Sequence, residues 1–239
     1  MLVLSSLRCY DDKSSQFIFS LKDGEKMRQM VKKLQNAYNA FEKGRMKQAE
    51  ILFLECLDKI EDKESPAYKQ AMHGFALVKS ELGNYTEASE LYLEILRIAE
   101  NEGNKEEEAI AYHQLGMVER LAGQYDKALR FLSTEAEIYK TLDGDFHLEL
   151  AANVYEQGMI YLLNNQHIHA RRFMEKSLHH AEQAEDSMII GYAYRGLGDI
   201  SSQSDEKEAE KFYQQAIMAF EWAEDNQAVE AMKDKISKL

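Results

Sequence analysis

Five of the seven histidines fall between residues 147 and 180: His147, His167, His169, His179 and His180. Imidazoles in pairs are the side chains here best suited to chemistry, as metal ligands or as groups that titrate near neutral pH. His167 and His169 lie at a predicted turn and helix start, and His179 and His180 near the end of the same helix. About ten residues of helix, or about 15 Å, separate the two pairs, so they cannot share one metal. Solvated surface histidines are the expectation, with no metal site. Cys9 and Cys56 are too few and too far apart for a disulfide framework or a zinc site, and Cys56 falls on the inner face of a predicted helix. Glu106, Glu107 and Glu108 open a predicted helix, where acidic charge favours the positive end of the dipole. No nucleophile elbow, phosphate loop, dinucleotide glycine motif or zinc-ligand spacing occurs in the chain. The expectation is a protein that is not an enzyme and uses no cofactor.

The elements that would position any such group follow from five alanines: Ala49, Ala88, Ala128, Ala170 and Ala209. Their spacing is 39, 40, 42 and 39 residues, so one supersecondary unit repeats along the chain. The clearest copy runs from Ala111 to Asp145: a helix ending near Leu121, a turn at Gly123-Gln124, and a second helix from Tyr125. The copy from Ala71 to Asn104 matches it, with Gly83-Asn84, Tyr85, Ala88 and Tyr92. Helices are predicted over 26–42, 46–61, 65–82, 85–101, 104–122, 125–141, 145–163, 167–184, 186–202 and 206–222. A last helix near 226–238 places Val229, Met232, Ile236 and Leu239 on one stripe and reads as a cap. Ser65-Pro66 is a helix start signal. Gly44, Gly83, Gly103, Gly123 and Gly144 are expected as left-handed caps. Gly116, Gly158 and Gly198 recur inside helices at one register, where glycine costs about 1 kcal/mol, which implies a close approach of the partner helix. Residues 1–25 stand outside the repeat as an arm, in which Gln16 to Leu21 can form a short strand.

Composition agrees with an all-helical folded chain: 45% hydrophobic, 30% charged and a single proline. There is no apolar run long enough for a membrane span and no secretory leader pattern, so a cytoplasmic location is expected. Net charge is −13, which argues against a nucleic-acid surface. The charge is uneven: residues 1–50 hold 10 Lys and Arg against 6 Asp and Glu, and the remainder holds 19 against 36.

Glycine turn, aromatic two residues on, alanine three further, and an aromatic or apolar residue four beyond: this order resembles the tetratricopeptide repeat family over roughly residues 27–223. The period of about 40 exceeds the usual 34, and HEAT and armadillo repeats are the alternative at that length. Long-period copies of this kind are similar to those of kinesin light chains, spindle-orientation adaptors and peptide-sensing regulators of Gram-positive bacteria. The resemblance implies a right-handed α-solenoid: an arm over 1–25, five repeats over 26–223 and a capping helix over 224–239. It also implies that first helices line a concave groove. In the third copy, Tyr112, Leu115, Gly116 and Glu119 would pack on the partner helix, leaving Ile110, His113, Met117 and Arg120 for the groove. Carried to the other copies, this register gives Leu34, Tyr38 and Phe41; His73, Leu77 and Ser80; Tyr155, Met159 and Leu162; and Tyr192, Arg195 and Asp199. Asn39, Gln70 and Gln114 add polar groups for a peptide backbone. The same spacing also suits packing between repeats. The lysine, arginine and asparagine clamp of chaperone-binding members is absent from these rows.

The leading expectation is a non-catalytic module that holds a peptide or partner segment in the groove. The alternative is a bacterial signalling-peptide sensor; the 25 residues before the repeats are too few for an effector part, so it would act through a separate effector protein. Partners are expected to be proteins or peptides, with neither nucleic acid nor membrane, and homodimerisation through terminal repeats stays open.

Overall fold

A computed structural model describes residues 24–239, with side chains from residue 28 onward. The expected arm, its candidate strand and Cys9 lie outside the described residues. Among the described residues there are eleven α-helices and no strand: α1 (Gly24–Glu42), α2 (Met46–Lys59), α3 (Pro66–Glu81), α4 (Tyr85–Glu102), α5 (Lys105–Leu121), α6 (Tyr125–Tyr139), α7 (His147–Leu163), α8 (His167–Gln183), α9 (Ser187–Ser201), α10 (Glu206–Trp222) and α11 (Asn226–Ile236). The helices fall within about two residues of most sequence-based bounds, the scatter expected at frayed ends. The chain forms two compact units, one ending at Ile138 and one running Tyr139–Leu239.

In the first unit α1, α2, α3 and α4 each pack on the next helix, and α1 also meets α3. Ala49, Ala88 and Ala128 are completely buried, because a larger side chain at that point would push the paired helices apart. The core gathers Leu34, Phe41, Phe53, Phe75, Leu77, Tyr92, Leu96, Leu115 and Met117. First and second helices differ in depth. In α5 eleven residues are buried, Glu108 to Arg120 among them, whereas α2 buries only Ala49, Phe53 and Cys56. A first helix is covered on several sides, and a second helix on one.

The second unit repeats the arrangement: α7 on α8, α8 on α9, α9 on α10, and α11 against α10. Ala170 and Ala209 are completely buried. Val229 and Met232 of α11 are buried and Ile236 and Leu239 pack partly against the same core, so the last helix does cover the apolar end of the fifth repeat.

Two helix-internal glycines show why that register excludes a side chain. A Cβ on Gly116 would stand 2.7 Å from Leu132 Cγ, and one on Gly198 would stand 2.5 Å from the Tyr213 ring. Both distances are shorter than carbon contacts allow, so the second helix crosses tightly there, as the repeated glycine implied. Gly144 departs from expectation. It is absent from the positive-φ residues, and a Cβ there would instead meet the Phe146 ring at 2.9 Å.

A polar position near the end of α3, α5 and α9 bridges the second helices on either side. Lys79 pairs with Glu50 of α2 at 2.8 Å and Glu87 of α4 at 2.6 Å. One repeat on, Glu119 accepts from Ser89 of α4 at 2.9 Å and from Lys127 of α6 at 2.6 Å. In the second unit Ser201 accepts from Arg171 of α8 at 2.8 Å and donates to Glu208 of α10 at 2.6 Å. The chemistry changes from copy to copy, but the bridge stays in register. Helix starts are set by side-chain caps: Ser65, Asn104, Asp186, Asp205 and Asp225 each accept from a backbone N–H three residues on, a contact worth about 1 kcal/mol.

Candidate functional site

The row expected to face a ligand is carried by α1, α3 and α5 in the first unit and by α7 and α9 in the second. In the first unit most of it is packed. Leu34, Phe41, Leu77 and Met117 belong to the hydrophobic core, and Arg120 is buried as well. His113 is fully buried, with its Nδ1 2.9 Å and 3.1 Å from the two carboxylate oxygens of Glu135, itself fully buried. That bond ties α5 to α6, so the imidazole serves the interior of the third repeat.

Three residues of the row keep some exposure in this unit: Tyr38, His73 and Ile110. Tyr38 sets its ring edge against Phe53, centroids 5.0 Å apart, and its hydroxyl donates to the carbonyl of Gln70 at 2.9 Å. His73 packs edge-on to Tyr92 at 5.7 Å, and burial pushes its pKa down to about 4, so the ring is neutral near pH 7. Behind it the Tyr92 hydroxyl is buried without a hydrogen-bond partner among the described residues, and burial raises its pKa well above the ordinary phenol value. Tyr92 comes from a second helix, which is why a search confined to first helices passed over it. Ser80 turns back to the carbonyl of Ala76 at 2.9 Å.

The second unit presents a different arrangement. Tyr155 of α7 and Tyr192 of α9 are each 8% exposed, their ring centroids 5.9 Å apart, and Met159 lies beside them in the core. Arg195, half-buried, lays its guanidinium over Tyr192 at 4.8 Å and near Tyr155 at 6.0 Å, and donates a short hydrogen bond to the Tyr155 hydroxyl. Burial works against the charge, but Tyr155, Asp199 and Tyr192 outweigh it, and the guanidinium pKa is raised. Asp199, one turn on, accepts from the Tyr213 hydroxyl and from Lys235, each at 2.8 Å. A half-buried cation over aromatic faces gains about 0.5–1 kcal/mol from the ring quadrupoles, which holds the guanidinium in place before any ligand arrives. Leu162 is half-buried against the same core.

The row therefore doubles as the seam by which successive first helices touch: Tyr38 reaches α3, and Arg195 reaches α7. Truncating Tyr155 or Met159 to alanine would open a core cavity at a cost of about 2–5 kcal/mol, so neither variant separates binding from folding. Among the histidines, sequence spacing missed the pairing of His147 with His180. The first residue of α7 meets the last turns of α8, because consecutive helices run antiparallel. Burial, with the nearby His147, His179 and Lys176, lowers the His180 pKa. Cys56 is a buried free thiol whose pKa burial raises to about 11, which leaves it unreactive. Among the described residues no helix is long and apolar enough to cross a membrane, and no group of three or more His, Cys, Asp or Glu converges.

Paired helices, buried small residues at the crossing and a cap define a helix-turn-helix repeat scaffold, the class whose general work is holding proteins and peptides. A tetratricopeptide repeat profile matches residues 29–101 and 107–183, and the chain belongs to the tetratricopeptide repeat family. No curated protein sequence matches it significantly. Among solved structures it is similar to the TPR-like repeats of a Podosopora anserina kinesin light chain, at 18% identity and a TM-score of 0.62, covering 82% of this chain and 96% of that one. It is also similar to Bacillus thuringiensis PlcR, solved in complex with a peptide and DNA, at 14% identity and a TM-score of 0.68, covering 90% and 77%. The apo form of RapI matches at 13% identity and a TM-score of 0.62, covering 94% and 89%. At these identities the likeness establishes the fold alone.

Proposed function

We propose that this protein is a non-catalytic binding module whose row of first-helix residues holds a peptide or partner segment, with Arg195 as its polar anchor. The observation that carries the reading is the half-buried guanidinium held over two tyrosines from neighbouring first helices. It offers a fixed charge with spare N–H donors, and guanidinium is the side chain best matched to a carboxylate or a backbone carbonyl. In the first unit Tyr38 and His73 offer a candidate surface of their own, an aromatic edge and a neutral imidazole over Leu34, Phe41, Leu77, His113, Met117 and Arg120, while in the second Met159 lies beside the tyrosine pair. The likeness to PlcR, whose structure holds a peptide, favours a second reading in which occupancy of the row regulates the protein's hold on another protein.

The test is affinity capture from native lysate, with mass spectrometry of both proteins and short peptides, comparing the wild type with Arg195→Gln and Tyr155→Phe. Neither variant empties a fully buried position, so thermal midpoints should stay close to wild type. Binding of the captured species should fall roughly tenfold in Arg195→Gln, as expected for a lost charged hydrogen bond. Undiminished binding by a folded Arg195→Gln protein would remove Arg195 from the site. Where the captured species is a short peptide whose addition changes protein capture, the sensor reading holds; a protein partner indifferent to peptide supports the scaffold.

A further inference from the structure

The geometry points to a two-imidazole binding site for a divalent late transition metal of the nickel or copper kind, formed by His147 and His180 in the fourth repeat. His147 is the first residue of α7 and His180 lies in the last turn of α8. Their Nδ1 atoms stand 3.0 Å apart with ring centroids at 5.2 Å, and both rings are half-buried. In the metal-free state one ring donates its Nδ1–H to the other's lone pair; with that shared proton lost, a turn of the two rings brings both lone pairs onto one ion.

Imidazole nitrogens suit copper(II) and nickel(II), whose square-planar or octahedral shells take two such ligands side by side. With metal–nitrogen bonds of about 2.1 Å that arrangement keeps the nitrogens about 3.0 Å apart, close to their present separation. No third His, Cys, Asp or Glu joins them among the described residues, so solvent completes the shell and the site is an exchangeable one. The neighbouring charge is mixed: Lys176 and His179 act on His180, and Asp145 accepts the backbone N–H of His147 at 3.0 Å. A bound ion would staple the start of α7 to the last turn of α8, at the end of that helix pair opposite its 164–166 turn.

The test titrates the full chain with nickel chloride by calorimetry, and with copper sulfate followed by electron paramagnetic resonance. One ion per chain should bind, with two equivalent nitrogens in the copper spectrum. His147→Gln and His180→Asn should each weaken binding by at least about 10- to 100-fold, the range already seen when only a ligand's supporting partner is lost. His167→Ala with His169→Ala should leave binding unchanged. Unaltered affinity in His147→Gln or in His180→Asn, loss of binding in the 167/169 double variant, or a copper spectrum with a single protein nitrogen would each overturn the assignment. Circular dichroism without metal checks that every variant is folded. Should His147→Gln fail that check, the copper spectrum of the wild type decides by the number of nitrogens alone.

Discussion

The two units close the same helical turns with different residues. In the first, the left-handed residues are all glycines: Gly44, Gly83, Gly103 and Gly123, at φ between 66° and 78°. In the second they are Asn165, Glu185 and Glu224, at φ between 54° and 56°. The closing bond is the same in both, running from the N–H after the left-handed residue to the carbonyl five before it: Gln124 to Glu119 at 2.8 Å, and Asp186 to Ala181 at 3.0 Å. A glutamate in that conformation costs about 1–2 kcal/mol that glycine does not. The candidate row differs in parallel. One of its histidines is sealed against Glu135 in the first unit, while the equivalent position in the second holds the half-buried Arg195. One repeat plan thus tolerates different local chemistry, because the helix pairing is set by small residues at the crossing and not by turns or row residues.

The largest effect should come from the sealed pair. Glu135→Ala leaves His113 buried without its carboxylate and should cost about 3–5 kcal/mol, whereas Arg195→Gln in the second unit should cost less than about 1 kcal/mol. Urea unfolding of both variants measures the difference. Equal losses would mean that the two row positions do the same structural work.

A smaller effect concerns pH. The folded state holds His73 at a pKa of about 4, below the ordinary value of about 6.5 in the unfolded chain. The unfolded state therefore takes up a proton that the folded state refuses. Stability is complete above pH 6.5 and falls as pH drops towards 4, by about 1–2 kcal/mol for a ring that keeps some solvent contact. His73→Leu should remove that part of the slope in denaturant midpoints measured between pH 7 and 4. A slope identical to wild type would place the titrating groups elsewhere.

The smallest effect swaps the turns. Glu185→Gly should stabilise the chain by about 1 kcal/mol, and Gly123→Ala should destabilise it by a similar amount. Thermal midpoints moving in opposite directions confirm the comparison; a Glu185→Gly protein no more stable than wild type would show that the glutamate side chain compensates for its backbone.

Much of this was legible beforehand. The alanine spacing placed the helices, and Gly116 and Gly198 marked tight crossings, because a missing side chain at a fixed register has few other causes. The left-handed caps were legible where glycine supplies them and invisible at Glu185 and Glu224, where tertiary packing overrides a residue's own preference. The candidate row was legible as a register but not as a surface. Helical period places Met117 and Tyr38 on one face alike, and it does not say how closely the next helix approaches.

Sequence by itself determined that this chain folds as stacked helix pairs of the tetratricopeptide kind, since periodicity, small residues and turn signals are local properties that repeat. Only the tertiary structure decided which side chains share a site. His113 with Glu135, Arg195 with Tyr155, and His147 with His180 lie 22, 40 and 33 residues apart. Such distances are bridged by the antiparallel return of one helix on another, and not by any spacing along the chain.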